Sequence, residues 1–376
     1  MPKRIAMNAM AMDVNKAGVG NYEYNIIKNV QKLPHDFHIT IYIDESMTEY
    51  FTESENVKFI TAGNFRSSKS RIGYELLRFA NELNGNEYDL VHFMDYVTPI
   101  AKLKSPFIVT IHDISFYLHP KNYTKSSGFV KRALLPNALV KSKKIVTVSE
   151  FTKSEILSNF DNVASDKIVA IPLGVNPPVV DLHKNEFIFN KYKIRQPYVL
   201  FVGTIEPRKN IITLIKAMEQ LWEREPGVTH NLIVLGKYGW MYDSIIEYAK
   251  GSKFADRIIF TGYVSDEELP YFYSGADVFA YTSSYEGFGL PPLEAMSYGV
   301  PVVSSDAASI PEALGSAAMF THTYDSARFS KLIGEIITNR DIHGEYSKKG
   351  LEHSKKRSWA ATAAGLLEVY KKETEK

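Results

Sequence analysis

The chain has 376 residues, 45% of them hydrophobic and 23% charged, with a formal net charge of +1, the balance of a soluble globular protein of two ordinary domains. It contains no cysteine, which excludes disulfides, cysteine zinc sites and thiol catalysis. No apolar run approaches the roughly 18 residues that span a bilayer, and Met1 to Met7 enters a strand pattern without a signal-peptide stretch, so the expectation is a cytoplasmic protein.

Arg4–Asn8 reads as the first strand, and Gly18-Val-Gly20 lies in the loop after it, opening a helix at Asn21–Val30. The last glycine of a dinucleotide fingerprint would fall at Glu23, which is large and charged, so a nicotinamide or flavin fold is not expected. Further short apolar runs follow at Phe37–Ile43, Asp89–Phe93, Phe107–Ile111, Ile145–Val148 and Ile168–Ile171. His112-Asp113 comes directly off the fourth of these six strands. It is either a structural histidine–carboxylate pair or part of a site. From Lys102 to Lys153 ten basic residues face two acidic ones, a local net of +8. Lys121, Lys125, Lys131, Arg132, Lys141, Lys143 and Lys144 alternate there with Phe129, Val130, Leu134, Leu135 and Leu139. Such a segment is a solvated helix face or a contact for an anionic membrane surface. No nucleic-acid recognition motif accompanies the charge.

Pro172 to Pro178 interrupts the pattern and reads as the linker. Strands then recur at Tyr198–Val202, Asn231–Leu235, Arg257–Phe260, Asp277–Tyr281 and Val300–Ser304. Strands alternating with helices imply parallel sheets, hence an α/β chain of two doubly wound domains. In such sheets ligands bind at the carboxyl ends of the strands. Gly203 to Asn210 occupies that position after Tyr198–Val202 and opens a helix at Ile211–Leu221. Arg208 and Lys209 at a helix start oppose the macrodipole, and a diphosphate using both cations and the N–H groups would account for them. Glu286 follows Asp277–Tyr281 on a loop containing Gly287 and Gly289. Pro291 and Pro292 suit the first positions of the next helix, which carries Glu294 and stops at Gly299. No Asp-x-Asp, His-Glu-x-x-His or Gly-x-Ser-x-Gly pattern is present, so neither a bound metal nor a serine nucleophile is expected.

Glu286 and Glu294, with seven residues between them, resemble the E-x7-E motif of the family 4 retaining glycosyltransferases. The stretches Gly262–Leu269, Pro292-Leu-Glu-Ala-Met296, Gly299-Val-Pro-Val-Val303, Val148–Phe151, Ile171–Val175 and Phe201–Asn210 are similar to that family too. The resemblance runs over nearly the whole chain and implies the GT-B fold, two Rossmann-like domains facing across a cleft. It implies an acceptor-binding domain at 1–177, a nucleotide-sugar domain at 178–357, and a helix in 358–376 returning to the first.

Glu286 matches the acid that bonds the donor sugar, and Glu294 the one gripping the ribose. Gly287, Phe288, Gly289 and Leu290 would offer N–H groups to sugar and diphosphate. Lys209 matches the phosphate-binding lysine, His112 a histidine at the sugar's reacting end, and Gly18 and Gly20 a loop beside the phosphates. Gly203 and Val264 complete the implied donor site. Many members carry arginine where this chain has Thr204, and Arg208 is the candidate replacement. The form Gly203-Thr-Ile-Glu-Pro-Arg-Lys-Asn210 resembles mannosyltransferases of bacterial polysaccharide assembly. It implies GDP-mannose as donor, a lipid-linked or cell-surface glycan as acceptor, and no metal or other cofactor. Two alternatives remain: a nucleotide-sugar 2-epimerase on the same fold and a two-domain solute-binding protein.

Overall fold

The computed structural model describes residues 2–13, 18–120, 125–181 and 185–375. They divide into two compact units, the first of residues 1–120, 125–174 and 359–376 and the second including 175–358.

The first unit is built on seven strands: β1 Arg4–Asn8, β2 His38–Asp44, β3 Val57–Gly63, β4 Leu90–Phe93, β5 Phe107–Ile111, β6 Lys144–Thr147 and β7 Ile168–Ala170. Their order across the sheet is β3-β2-β1-β4-β5-β6-β7, and every neighbouring pair is parallel. β4 is buried along its length and β5 along four of its five residues, which is why Leu-Val-His-Phe and Phe-Ile-Val-Thr-Ile show no polar alternation. The chain winds one way from β1 and the other way from β4, so the switch point of this sheet lies between those two strands.

The helix Val19–Val30 buries Tyr22, Ile26, Ile27 and Val30, a helical spacing that lays one face on the core. The helix Trp359–Thr374 packs against it within the same unit. Tyr370 there meets His92 Nδ1 at 2.7 Å, while His92 Nε2 meets Thr110 Oγ1 at 2.8 Å. This fully buried chain satisfies both ring nitrogens, and burial keeps His92 neutral by lowering its pKa to about 3.

The second unit holds β8 Tyr198–Val202, β9 Asn231–Leu235, β10 Ile258–Gly262, β11 Val278–Tyr281, β12 Val302–Ser305 and β13 Ala318–Thr321. Their order is β10-β9-β8-β11-β12-β13, again all parallel, with the switch point between β8 and β11. The helix Ile211–Arg224 buries Ile211, Leu214, Ile215, Met218, Leu221 and Trp222, a stripe at helical spacing.

Several details differ from the sequence reading. β3 and β13 were not expected; each is an edge strand. Arg208 and Lys209 lie in a separate 3-10 turn, Pro207–Lys209, and Asn210 in a left-handed conformation (φ 51°) divides it from the following helix. The glycine-loop helix begins at Leu290 and ends at Ser297. The first helix starts at Val19, so Gly20 belongs to its first turn.

The basic segment is not one exposed face. Residues 121–124 lie outside the described ones. Leu135 and Leu139 on the helix Lys125–Lys141 are buried in the core. Lys131 stands over the Phe116 ring at 5.5 Å, Lys143 pairs with Glu373, and Lys144 bonds the Asp166 carbonyl. Among the described side chains of that helix, Val130 and Val140 are exposed apolar ones.

Candidate active site

The loop 282–289 leaves β11 at the switch point of the second sheet, beside the turn that follows β8. Glu286 is carried inward here rather than displayed. It is 9% exposed, and its Oε1 accepts from Lys209 Nζ at 2.5 Å, Tyr281 OH at 2.8 Å and Ser283 Oγ at 2.6 Å. Its Oε2 accepts from Arg208 Nη1 at 3.1 Å. Burial alone would raise this carboxyl, but Lys209, Arg208 and the donated hydrogen bonds hold it down at about 2.

Lys209 Nζ also donates to Tyr281 OH at 2.8 Å, so two of its three donors are engaged. Burial lowers its pKa, against the pull of Glu286. The guanidinium of Arg208 binds Glu206 through Nε at 3.0 Å and Nη2 at 2.9 Å, and the Tyr285 carbonyl through Nη1 at 2.5 Å. The two cations therefore face two protein carboxylates, Glu206 and Glu286. Burial raises the Glu206 pKa despite Arg208 and Lys209. Where the sequence suggested a diphosphate as the reason for these cations, the carboxylates of the site itself also account for them.

Hydrogen bonds knit the two loops together. Ser284 N donates to the Arg208 carbonyl at 2.8 Å, and Thr282 Oγ1 donates to the Lys209 carbonyl at 3.0 Å. Ser309 Oγ donates to the Glu286 carbonyl at 2.8 Å. Gly203, at the end of β8, lies under the lysine stem: a Cβ there would meet Lys209 Cε at 3.5 Å. Thr204 offers no cation in place of the family arginine. Its methyl group packs where a Cβ on Gly239 would come within 2.8 Å.

Gly287 and Phe288 are buried, and Gly289 adopts φ 107°, a left-handed value suited to glycine, as the N-cap of the helix Leu290–Ser297. Pro291 and Pro292 then leave Leu290 as the N–H donor among the helix's first three residues. Glu294, half-buried on this helix, accepts from Tyr273 OH at 2.8 Å through Oε2. Burial raises its pKa against that hydrogen bond. Val264 is buried just beyond β10, after Gly262.

In the first unit His112 follows β5. Its Nε2 donates to the Met94 carbonyl at 3.0 Å, and its ring stands edge-on to Tyr22 at 4.8 Å between centroids. It does not pair with Asp113, whose Oδ1 accepts from Ser115 N at 2.8 Å and Ser115 Oγ at 2.5 Å. Gly18, with φ 57°, precedes the helix that contains Gly20.

Glu206, Tyr281 and Ser283 belong to the glutamate site but were not singled out in the sequence. Glu206 lies two residues before the arginine it binds. Tyr281 was read only as a buried strand residue. Among the described residues no group of three His, Cys, Asp or Glu side chains could hold a metal ion. Among them, too, no helix is long and apolar enough to cross a membrane.

Residues 17–178 match the family described as Glycosyltransferase Family 4, and residues 184–353 match Glycosyl transferases group 1. The chain is 31% identical over 368 residues to O-antigen chain mannosyltransferase B of Escherichia coli, covering 94% of this chain and 96% of that protein. It is 30% identical to O-antigen chain mannosyltransferase RfbU of Salmonella typhimurium, over 69% of this chain and 67% of that one. Among solved structures, sucrose-phosphate synthase of Thermosynechococcus elongatus superposes with a TM-score of 0.77 at 20% identity, covering 98% of both chains. HepE of Anabaena, solved with UDP and glucose, gives 0.75 at 15% identity, over 98% of this chain and 100% of that one. These likenesses show the fold, GT-B with two Rossmann-like parallel sheets. With a full-length relative above 30% identity and both halves matched, the chain belongs to glycosyltransferase family 4.

Proposed function

We propose that this glycosyltransferase moves a mannosyl residue from GDP-mannose to a lipid-linked or cell-surface glycan, with retention of configuration and without a metal ion. The observation that carries the reading is the convergence of Lys209, Arg208, Glu286 and the helix bearing Glu294 on the switch point between β8 and β11. Ligands of open α/β sheets bind at such a point. The two O-antigen chain mannosyltransferase relatives support mannose and polysaccharide assembly, and weigh against the 2-epimerase alternative.

In this reading the third donor of Lys209 takes a phosphate oxygen, joined by the N–H groups from Gly287 to Leu290. Both stabilise charge that grows as the nucleoside diphosphate departs. Glu294 keeps Oε1 for the ribose, since Tyr273 occupies Oε2. Glu286 holds the lysine in place and meets the sugar through Oε2. His112, with Nε2 committed to a carbonyl, offers Nδ1 to a sugar hydroxyl. The acceptor hydroxyl attacks the anomeric carbon on the face the diphosphate leaves, and its proton passes to the departing phosphate oxygen.

The test is a thermal-shift panel of nucleotide-sugars followed by product analysis. A ligand at 100-fold its dissociation constant adds about 2.7 kcal/mol. GDP-mannose should raise the melting temperature more than UDP-sugars, and turnover should survive EDTA. A UDP-sugar preference would reject the donor assignment, and a strict magnesium or manganese requirement the metal-free one. We also propose that the basic helix around Val130 and Val140 touches anionic membrane. Sedimentation with anionic but not neutral vesicles, reversed by salt, is the expected result.

A further inference from the structure

The first unit buries a second charged cluster, which the donor site does not use. It lies at the carboxyl ends of β1 and β4, the switch point of that sheet. Asn8, the last residue of β1, donates Nδ2 to Glu75 Oε1 at 2.7 Å. Arg71 Nη1 donates to both oxygens of Glu75, at 3.1 Å and 2.9 Å. Asp95, just beyond β4, accepts from Tyr96 N through Oδ1 at 2.7 Å. Glu23 comes in from the helix Val19–Val30. It is 1% exposed, and its Oε2 has no hydrogen-bond partner among the described residues.

Arg71 thus binds Glu75 directly, and Asp95 and Glu23 lie within its electrostatic reach. Glu75 is 1% exposed at its side chain and Arg71 13%, while Asp95 is half-buried, so the cluster opens to solvent at Arg71 and Asp95. Burial raises the pKa of Glu75 to about 7 and that of Glu23 well above the ordinary carboxylate value, despite Arg71. For stability alone this is a poor arrangement, because apolar side chains of similar volume commonly do as well as or better than a buried ionic group. A buried, unpaired carboxyl oxygen costs more still.

The chemistry of the cluster selects its ligand. Asp95 and Glu75 offset the charge of Arg71, so the cluster offers phosphate and sulfate no net positive charge. Carboxylates that accept and a guanidinium that donates suit adjacent hydroxyls of an uncharged sugar. We propose that this cluster is the subsite for a neutral sugar residue of the acceptor. Asp95 and Arg71 meet its hydroxyls at the opening, and Glu23 Oε2 takes the innermost hydroxyl, directly or through one water. The proposal rests on the reading of the chain as a transferase to a glycan and narrows that glycan's end to a neutral sugar.

Saturation-transfer NMR with the methyl glycosides of mannose, glucose and galactose, and with mannose 6-phosphate, tests it on the full chain. At least one neutral glycoside should bind, and mannose 6-phosphate should bind more weakly. Asp95→Asn should weaken that glycoside about tenfold, as loss of a hydrogen bond to a charged group does, and Glu23→Gln about fivefold, as loss of a neutral one does. GDP affinity and GDP-mannose hydrolysis should be unchanged in both variants. Asp95 is half-buried, so its variant stays informative if Glu23→Gln folds poorly. The proposal is overturned if no neutral glycoside binds, if both variants bind it normally, or if the phosphorylated sugar binds as tightly. Normal glycoside binding in both variants would make Glu23 a buried acid only. Loss of GDP-mannose turnover in the unmodified protein would instead count against the donor reading and leave the subsite standing.

Discussion

Glu286 and Glu294 sit on one loop and the helix it feeds, yet their surroundings differ in kind. Glu286 is bound by two cations and two hydroxyls, whereas Glu294 has Tyr273 alone among the described residues. Substitutions should therefore fail differently. Glu294→Ala should weaken GDP itself, because a hydrogen bond to a charged acceptor contributes about 1.5–3 kcal/mol, with little change in melting temperature. Glu286→Gln should leave GDP affinity nearly intact and depress turnover. It should also destabilise the second unit, since removing one partner of a buried ion pair costs about 3–5 kcal/mol. Calorimetry with GDP, initial rates and melting curves separate these outcomes, and equal loss of GDP affinity in both variants would refute the division. The acid limb gives an independent check. The Glu286 pKa is held at about 2 in the fold, against an ordinary value of 4.5. The stability it contributes is thus complete above about pH 4.5 and is lost as pH falls through about 2. The stability gap between the unmodified protein and Glu286→Gln should narrow over that window. A gap independent of pH would mean that the carboxylate is not held ionised.

The carboxyl edge of the second sheet is shaped where strand ends touch. A Cβ on Gly236, just past β9, would lie 1.9 Å from the Gly203 carbonyl oxygen, and the residue has φ 153°. Gly236→Ala must therefore push apart the loops after β8 and β9, and with them the ground beneath Lys209. Overpacking of this kind costs about 1–3 kcal/mol. The expected result is a lowered melting temperature together with weaker GDP binding by calorimetry, and normal GDP affinity would show that the two loops move independently. Elements of this sort were unevenly legible in the sequence. Interior strands announce themselves because both faces are buried, as in Tyr198-Val-Leu-Phe-Val202. Two of the four edge strands did not: β3 mixes half-exposed and exposed positions, and β13 is half-exposed at its two central residues. Glu286, Glu294, Arg208 and Lys209 could be singled out by spacing and by an electrostatic oddity. That Arg208 answers to the Tyr285 carbonyl, and Lys209 to Tyr281, depends on which strand ends become neighbours. Asn210 shows the same limit, since its left-handed backbone is stabilised by a side-chain bond to the Thr323 carbonyl at 2.7 Å, across 113 residues of sequence.

At the scale of the molecule, the chain leaves the second unit at Ser358 and ends in the first with the helix Trp359–Thr374. Trp359, Leu366 and Tyr370 on that helix are at most 3% exposed. The helix is thus part of the first unit's core, contributed by the far end of the sequence. Truncation after Ser358 should consequently destabilise the first unit while sparing the second, although the cut falls next to the second in sequence. Differential calorimetry should then show one transition lowered or missing and another still raised by GDP. A milder probe is Tyr370→Phe, which removes the hydroxyl bonded to His92 Nδ1 and leaves the ring in place. His92 is 0% exposed, so the orphaned nitrogen should cost about 1–3 kcal/mol. For a domain of this size that corresponds to roughly 2–4 °C per kcal/mol. The shift should appear only in the transition that GDP does not raise. If truncation or Tyr370→Phe lowers the GDP-responsive transition equally, the two units do not melt as separate bodies. If neither changes a transition, the helix is dispensable to the first unit's core.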